Sequence, residues 1–358
     1  MIIFFIFLYT LLFIEYSFPP TVKVIFFIIF YLYLVYLFSQ KQNFYKSKFS
    51  ISNVLILLAI TLTIVVNGIN NIETFIGHQL TIPAYILFIG GFLGLYTISD
   101  LMLRSLKKII FISSIFATGV ILNFFDDFLP LTGLLFLLPI FNIKKDFRFD
   151  KMFIFYYLVV IFYSLIVIND RTYFAFYSVT LLINLYYLIK KKYIVLLCTI
   201  AIVLLLLLDI SISIDDNEFF LDTRSFLVPE VLSNLNSTTD YVFGKGIDSA
   251  YFSDWFSLNS ADSEYRLAIE IGILSMLYKS GAIFCLLFLF KIFELINKNF
   301  KVLENKRIGY ILLTYILLLL ISLPLKFDLF NLTIAIILSC SFLLRPSQYD
   351  SNHKRMLE

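Results

Sequence analysis

The groups best able to do chemistry are gathered in one stretch. Between Asp209 and Glu264 lie eleven acidic residues, Arg224 and Lys245 as the only cations, the triplet Gly244-Lys245-Gly246 and the chain's single Trp. Loops beyond about 12–15 residues are usually functional or disordered. This one interleaves Phe, Tyr, Trp and Leu with its charges, so it has enough apolar surface to fold against something. A guanidinium such as Arg224 can hold a phosphate through two parallel hydrogen bonds. It can equally pair with Asp222 or Glu218, worth about 0–1 kcal/mol if exposed. Asp222 or Thr223 can cap a short helix there, with Pro229 acceptable only near a first turn. The Gly-Lys-Gly triplet follows a strand-like Tyr-Val-Phe and reads as an ordinary turn or as a close backbone approach to a ligand. Arg171, after Asn169 and Asp170, is either a cation at the outer mouth of a cavity or an arginine snorkelling to an interface. Where the loop ends, Asp262, Glu264, Arg266 and Glu270 offer a general base beside a phosphate-binding cation. They could instead be a chain of i,i+4 ion pairs worth roughly 0.3–0.5 kcal/mol each. His78 and His353, the only histidines, lie outside the loop, and nothing supports metal chemistry built on His or Cys.

The elements that position these groups are apolar. Of 358 residues, 60% are hydrophobic and 15% charged, and mean hydropathy is +0.92; a soluble domain carries about 25% charge. Apolar runs near the 17–25 residues that span a bilayer recur, and the short alternating strands of a membrane barrel are absent. The expected class is an all-α polytopic membrane protein. Twelve spans are expected, near 2–18, 22–38, 51–67, 80–98, 109–123, 128–141, 152–168, 173–189, 193–208, 280–296, 308–323 and 328–344. The first is expected to be a span and not a removable signal. Cys198, Cys285 and Cys340 fall inside apolar runs, as buried small hydrophobes would.

Charge alternates from loop to loop. Lys41, Lys46 and Lys48 are followed by a connection without Lys or Arg, then by Arg104, Lys107 and Lys108, then by Asp126 and Asp127. The segment NIKKDFRFDK carries four cations, and Lys190–Lys192 three more. With basic loops placed in the cytoplasm, both termini lie inside. Seven of 28 cations remain outside: Lys23, Arg171, Arg224, Lys245, Arg266, Lys279 and Lys326. Residues 264–280 repeat Leu267, Ile271, Leu274 and Tyr278 at helical spacing, with Asp262, Arg266 and Glu270 opposite. As a further span they would put the cations of 291–307 outside, so the expectation is an interfacial re-entry helix. The expected divisions are transmembrane helices over 1–208, an extracytoplasmic loop with the interfacial helix over 209–279, transmembrane helices over 280–344 and a cytoplasmic tail over 345–358.

Three features together resemble the O-antigen and capsule repeat-unit polymerases, within the ligase–polymerase superfamily of membrane glycosyltransferases. An arginine opens a span before the large loop (NDRTYFAFYSVTLLI); a second arginine precedes a Gly-x-Gly in the loop (TRSFLVPEVLSNLNSTTDYVFGKG); the chain re-enters with the cadence EYRLAIEIGILSMLYKSGAIFCLLFLF. The likeness covers roughly 165–295. It implies an enzyme of the bacterial plasma membrane, working on its outer face. Such an enzyme moves a glycan from undecaprenyl diphosphate onto the end of a new lipid-linked repeat unit. Donor and acceptor are both lipid-linked oligosaccharides, a chain-length regulator is an optional partner, and neither cofactor nor nucleic acid is implied. Arg171 and Arg224 would stabilise the leaving diphosphate, with Arg266, Glu270, Gly244, Lys245 and Gly246 around the substrate. Glu264 or Asp262 would take the acceptor's proton. The ligase branch associates a histidine near the loop's end with activity, and acids stand there in this chain. O-antigen ligase remains the alternative within the class. A lipid-linked oligosaccharide flippase, which usually shows related halves, and an export scaffold are the alternatives outside it.

Overall fold

The computed structural model describes residues 51–67, 100–122, 132–143, 150–168, 170–188, 223–246, 249–254, 265–266, 269, 271–301, 306–321, 333–334 and 337. The expected spans near 2–18, 22–38, 80–98 and 193–208, and most of 328–344, lie outside them. What is described is mostly helical. Helix α1 (Ile51–Asn67) has 17 residues and no charge and coincides with its expected span. Helix α2 runs over Asp100–Ile121, nine residues ahead of the expected start at 109. The segment with Arg104, Lys107 and Lys108, expected as a loop, forms its first turns. Leu, Arg and Lys are good helix formers and nothing there breaks the run.

The expected span 128–141 has a different form. Its described part is a 3-10 helix, Gly133–Ile143, with Pro139 inside. All residues from Leu134 to Asn142 are buried, so this segment is core and not a lipid-facing rod. Helix α3 (Lys151–Ile166) is capped by Asp150, whose Oδ1 accepts from the Phe153 amide at 3.1 Å. Helix α4 (Arg171–Leu188) is capped the same way: Asp170 Oδ1 accepts from the Thr172 and Tyr173 amides at 2.8 and 3.2 Å. The Asp of Asn-Asp-Arg-Thr is thus a helix cap.

The long loop folds. Helix α5 (Thr223–Ser233) carries Pro229 well past its first turn, contrary to expectation. Helix α6 (Thr238–Phe243) replaces the expected strand at Tyr-Val-Phe, because Ser237 and Asp240 form a reciprocal capping box around its first turn. Two short antiparallel strands follow, β1 (Tyr251–Phe252) and β2 (Tyr265–Arg266), with Tyr251 opposite Arg266 and Phe252 opposite Tyr265. Helix α7 (Gly272–Lys301) begins only at Gly272, so the expected helix over 264–280 is half right. Tyr265 and Arg266 belong to a strand, and Arg266 cannot be the middle of an i,i+4 ion-pair chain. From Ile271 onward the helical spacing holds. Helix α8 (Lys306–Ile321) closes the described fold.

Two apolar cores result. The larger lies between α2, α3, α4, the 3-10 helix, α7 and α8, around Tyr157, Phe176, Tyr177, Phe288, Ile292 and Tyr315. Cys285 is buried beside it. The smaller belongs to the loop: Leu227, Val231 and Leu235 of α5 and its exit meet Tyr251, Ile269, Ile271, Leu274 and Tyr278. Asn234 stitches this core. Its Nδ2 donates to the Phe252 carbonyl at 3.0 Å and its Oδ1 accepts from the Phe252 amide at 3.1 Å, so one side chain pairs with β1 as a strand would.

Helix α7 is interrupted at Gly281, whose φ is 78° and ψ 172°. The break falls where the sequence places the border between re-entry segment and tenth span. Of the described helices, α7 is the one long and apolar enough to cross a membrane. Its arm from the break to Lys301 is about twenty residues, or roughly 30 Å. Leu286, Phe290 and Phe293 keep an exposed apolar stripe on it, as Leu55, Leu58, Leu62 and Val65 do on α1.

Candidate functional site

The loop is joined to the helical bundle at a point where two glycines meet. Gly244 ends α6 with φ 79° and ψ 177°; Gly281 breaks α7 with nearly the same angles. That backbone region is essentially confined to glycine. A Cβ on Gly244 would lie 2.5 Å from the carbonyl carbon and oxygen of Lys279. One on Gly281 would overlap the Val242 carbonyl and lie 2.6 Å from the Gly244 nitrogen. With no side chains between them the two backbones hydrogen-bond: the Lys245 amide donates to the Tyr278 carbonyl at 2.7 Å, and the Gly246 amide to that of Lys279 at 3.2 Å.

Helix ends leave carbonyls without helical partners, and this joint contains two such ends. Both are reached from α1. The Thr63 hydroxyl is shared between the Ala59 carbonyl of its own helix at 3.1 Å and the Ser280 carbonyl at 3.3 Å, and Asn67 Nδ2 donates to the Phe243 carbonyl at 3.4 Å. Thr63 and Asn67 are four residues apart, one above the other on the same helical face. One helix thereby holds the ends of two others.

The triplet that sequence reading offers as a substrate-facing turn is thus built into this joint. The amides of Lys245 and Gly246 serve Tyr278 and Lys279. The Lys245 ammonium pairs with Asp240 at 3.1 Å. Asp240 is the hub of the turn, since its Oδ2 also accepts from the Asn236 and Ser237 amides. Partial burial pushes the Asp240 carboxyl up, but hydrogen bonds from Ser237, Lys245 and the Asn236 amide, with the Lys245 charge, hold it below its ordinary value of 3.8. A carboxylate with a lowered folded-state pKa contributes stability that is present above the unfolded value and lost as pH falls through the folded one. Protection of the Lys245 and Gly246 amides against hydrogen exchange, corrected for intrinsic rates, should be level from pH 8 to 5 and fall below about pH 4. Asp240→Asn should show the low-pH value throughout. Unchanged protection in that variant would remove Asp240 from the joint.

The expected site residues are distributed as follows. Arg171 is the first residue of α4 and Arg224 the second of α5. Arg266 lies in β2, half-buried, across from Tyr251. Asp262, Glu264 and Glu270 lie outside the described residues. Three further polar groups stand out that are not among the expected site residues, although Lys279 is one of the seven cations expected on the outer side. Lys279 is wholly buried at the joint. Lys291, grouped by sequence with the cytoplasmic cations, is buried within α7 and paired with Glu294 at 3.0 Å. Glu230 on α5 accepts a 2.8 Å hydrogen bond from Ser253, which is buried just after β1. No local motif marks Glu230, because its partner is 23 residues away. Among the described residues no group of three or more His, Cys, Asp or Glu could hold a metal ion.

No protein-family model, curated protein or solved structure matches the chain.

Proposed function

We propose that the protein polymerises undecaprenyl-diphosphate-linked oligosaccharide repeat units into a surface polysaccharide, O-antigen or capsule, on the outer face of the bacterial plasma membrane. The observation that carries this reading is the placement of its two arginines. Arg171 and Arg224 each stand in the first turn of a helix. A cation there opposes the helix dipole, at a cost of about 0.3–1 kcal/mol, while an anion is favoured. A diphosphate bound at such an end reverses the sign, meeting both the positive helix terminus and a guanidinium. At α4 the cap Asp170 takes the Thr172 and Tyr173 amides.

Contacts between helix ends support the alternating topology that the reading needs. Lys107, near the start of α2, pairs with Asp150 at the start of α3 at 3.2 Å. The Arg307 guanidinium at the start of α8 lies 4.9 Å from the Tyr187 ring centre at the end of α4. These are the ends that bear basic flanks. The opposite end of α1 instead reaches the loop, through Asn67. In twelve alternating spans, ends assigned to one side would meet in this way, with the folded loop outside.

As the donor's anomeric bond breaks, charge develops on the diphosphate, and cations fixed in advance stabilise it better in a low-dielectric site than in water. The decisive experiment deletes the gene and resolves the surface glycan on a gel. Collapse of the ladder to one repeat unit is the expected result. An unchanged ladder would remove the assignment, and surface loss with long lipid-linked chains retained would mark a ligase.

A further inference from the structure

The proposed diphosphate site is divided between two packed bodies. Arg171 opens α4, whose Tyr173, Phe176 and Tyr177 belong to the bundle core. Arg224 lies in the first turn of α5, whose Leu227 and Val231 belong to the loop core. One diphosphate can meet both arginines only if the two cores keep a fixed relation. Helix α7 joins them: Leu274 and Tyr278 sit in the loop core, and Phe284, Phe288 and Ile292 in the bundle core. Between these two sets lies the break at Gly281. A glycine has no side chain to limit its angles. Ile273 packs against both cores and Met276 against the bundle, but apolar burial is non-directional. Helix α7 by itself therefore does not set the angle at which its two arms meet.

Helix α1 meets the break from the side and packs against both α6 and α7. Ala59, Thr63 and Asn67 follow at intervals of four and share one face. Ala59 and Thr63 are buried, while Leu55, Leu58, Leu62 and Val65 stay exposed. A threonine inside a helix ordinarily bonds the carbonyl four residues back. The Thr63 hydroxyl does so at Ala59, and it is shared with the carbonyl of Ser280, the residue just before the break. Asn67, the last residue of α1, gives its amide to Phe243, the last residue of α6. Carbonyls at helix ends are often served by water, so their satisfaction alone does not call for these two side chains. Water cannot hold the end of α6 and the outer arm of α7 at one distance from the bundle. Two directional bonds from a single helix can.

We infer that Thr63 and Asn67 are positioning residues of the transfer: they seat the loop core on the bundle and so hold Arg224 in register with Arg171. The inference rests on the polymerase reading above. It adds that α1, which carries no charge, governs the rate through the geometry of two distant arginines.

The test has two readouts on the full chain. In the first, Cys198, Cys285 and Cys340 are replaced by alanine, and spin labels are attached at Ile166→Cys on α3 and Ser233→Cys on α5, both exposed sites. In nanodiscs the label-to-label distance should be narrowly distributed, and Thr63→Val with Asn67→Leu should widen or split it. An unchanged distribution overturns the inference. In the second, proteoliposomes receive lipid-linked repeat units. No polymer from the unaltered protein defeats the polymerase reading, and the distance readout, which needs no substrate, still decides whether α1 seats the loop. Given polymer, the double variant should lower kcat about tenfold or more with melting temperature little changed, since small misplacements cost that much. Thr63→Ser, which keeps the hydroxyl, should restore the rate lost in Thr63→Val. In an Arg224→Lys background the same two substitutions should cost less than about twofold, because the fork they position is already gone. An equal loss in both backgrounds, or a lower melting temperature with kcat per folded protein unchanged, makes the two side chains merely structural and overturns the inference while the polymerase reading stands.

Discussion

Gly281→Val should abolish polymer formation and open the outer loop to protease. The native angles at this residue are a conformation that costs other residues about 1–3 kcal/mol. A β-branched side chain adds to that cost, because its Cβ would overlap the Val242 carbonyl and crowd the Gly244 nitrogen. Neither obstacle is the end of a flexible side chain; both are backbone. The segments must therefore separate. Separation breaks the amide bonds of Lys245 to Tyr278 and of Gly246 to Lys279, and each buried group left without a partner costs about 1–3 kcal/mol. The loop core around Leu227, Val231 and Tyr251 loses its seat on α7. Gly244→Val should behave alike, since it meets the same joint from the other side. The measurement is polymer yield per protein together with the rate of proteolytic nicking within 223–254. Normal chain length and normal protease resistance in Gly281→Val would show that the loop does not depend on this joint.

Replacing Arg171 or Arg224 with lysine should lower polymer yield at least tenfold, and the double replacement should leave little activity. Lysine keeps the charge but loses the planar fork that grips two phosphate oxygens at once. A hydrogen bond to a charged group is worth about 1.5–3 kcal/mol, and roughly 1.4 kcal/mol of transition-state stabilisation is a tenfold change in rate. Two such losses at one diphosphate exceed a hundredfold if they add. Lys108→Ala is the control, because Lys108 is exposed on α2 and is not among the proposed site residues. Yield is measured in membranes with lipid-linked repeat units and normalised to protein abundance. Wild-type yield from both single lysine variants would show that the arginines merely flank their helices.

Much of the described architecture is written in short-range signals. The uncharged run of Ile51–Asn67 makes a helix, because apolar side chains without a backbone breaker leave it no better way to satisfy its amides. Asp150, Asp170 and Ser237 announce helix starts, since a side-chain oxygen three residues ahead of an amide is a local geometry. The interleaved aromatics of 223–254 mark a loop able to fold, and the fold supplies it with its own core. Local reading fails where two signals compete. Tyr-Val-Phe favours a strand by propensity, yet the capping box at Ser237 and Asp240 makes it helical. Arg266 fits a helical spacing, yet its partner is Tyr251 in a strand.

The site's joinery belongs to tertiary structure alone. Gly244 and Gly281 each look like an ordinary turn glycine, and only the fold shows that their backbones touch, 37 residues apart in the chain. Thr63 and Asn67 sit inside a plain apolar helix, and the carbonyls they reach at the joint lie 217 and 176 residues away. Glu230 is one acid among eleven until Ser253 reaches it. The physical reason is common to all three. Periodicity and capping are set by neighbours within a turn of helix, so they are legible along the chain. Close backbone approach and long-range hydrogen bonding depend on which surfaces meet, and no period in the sequence records that.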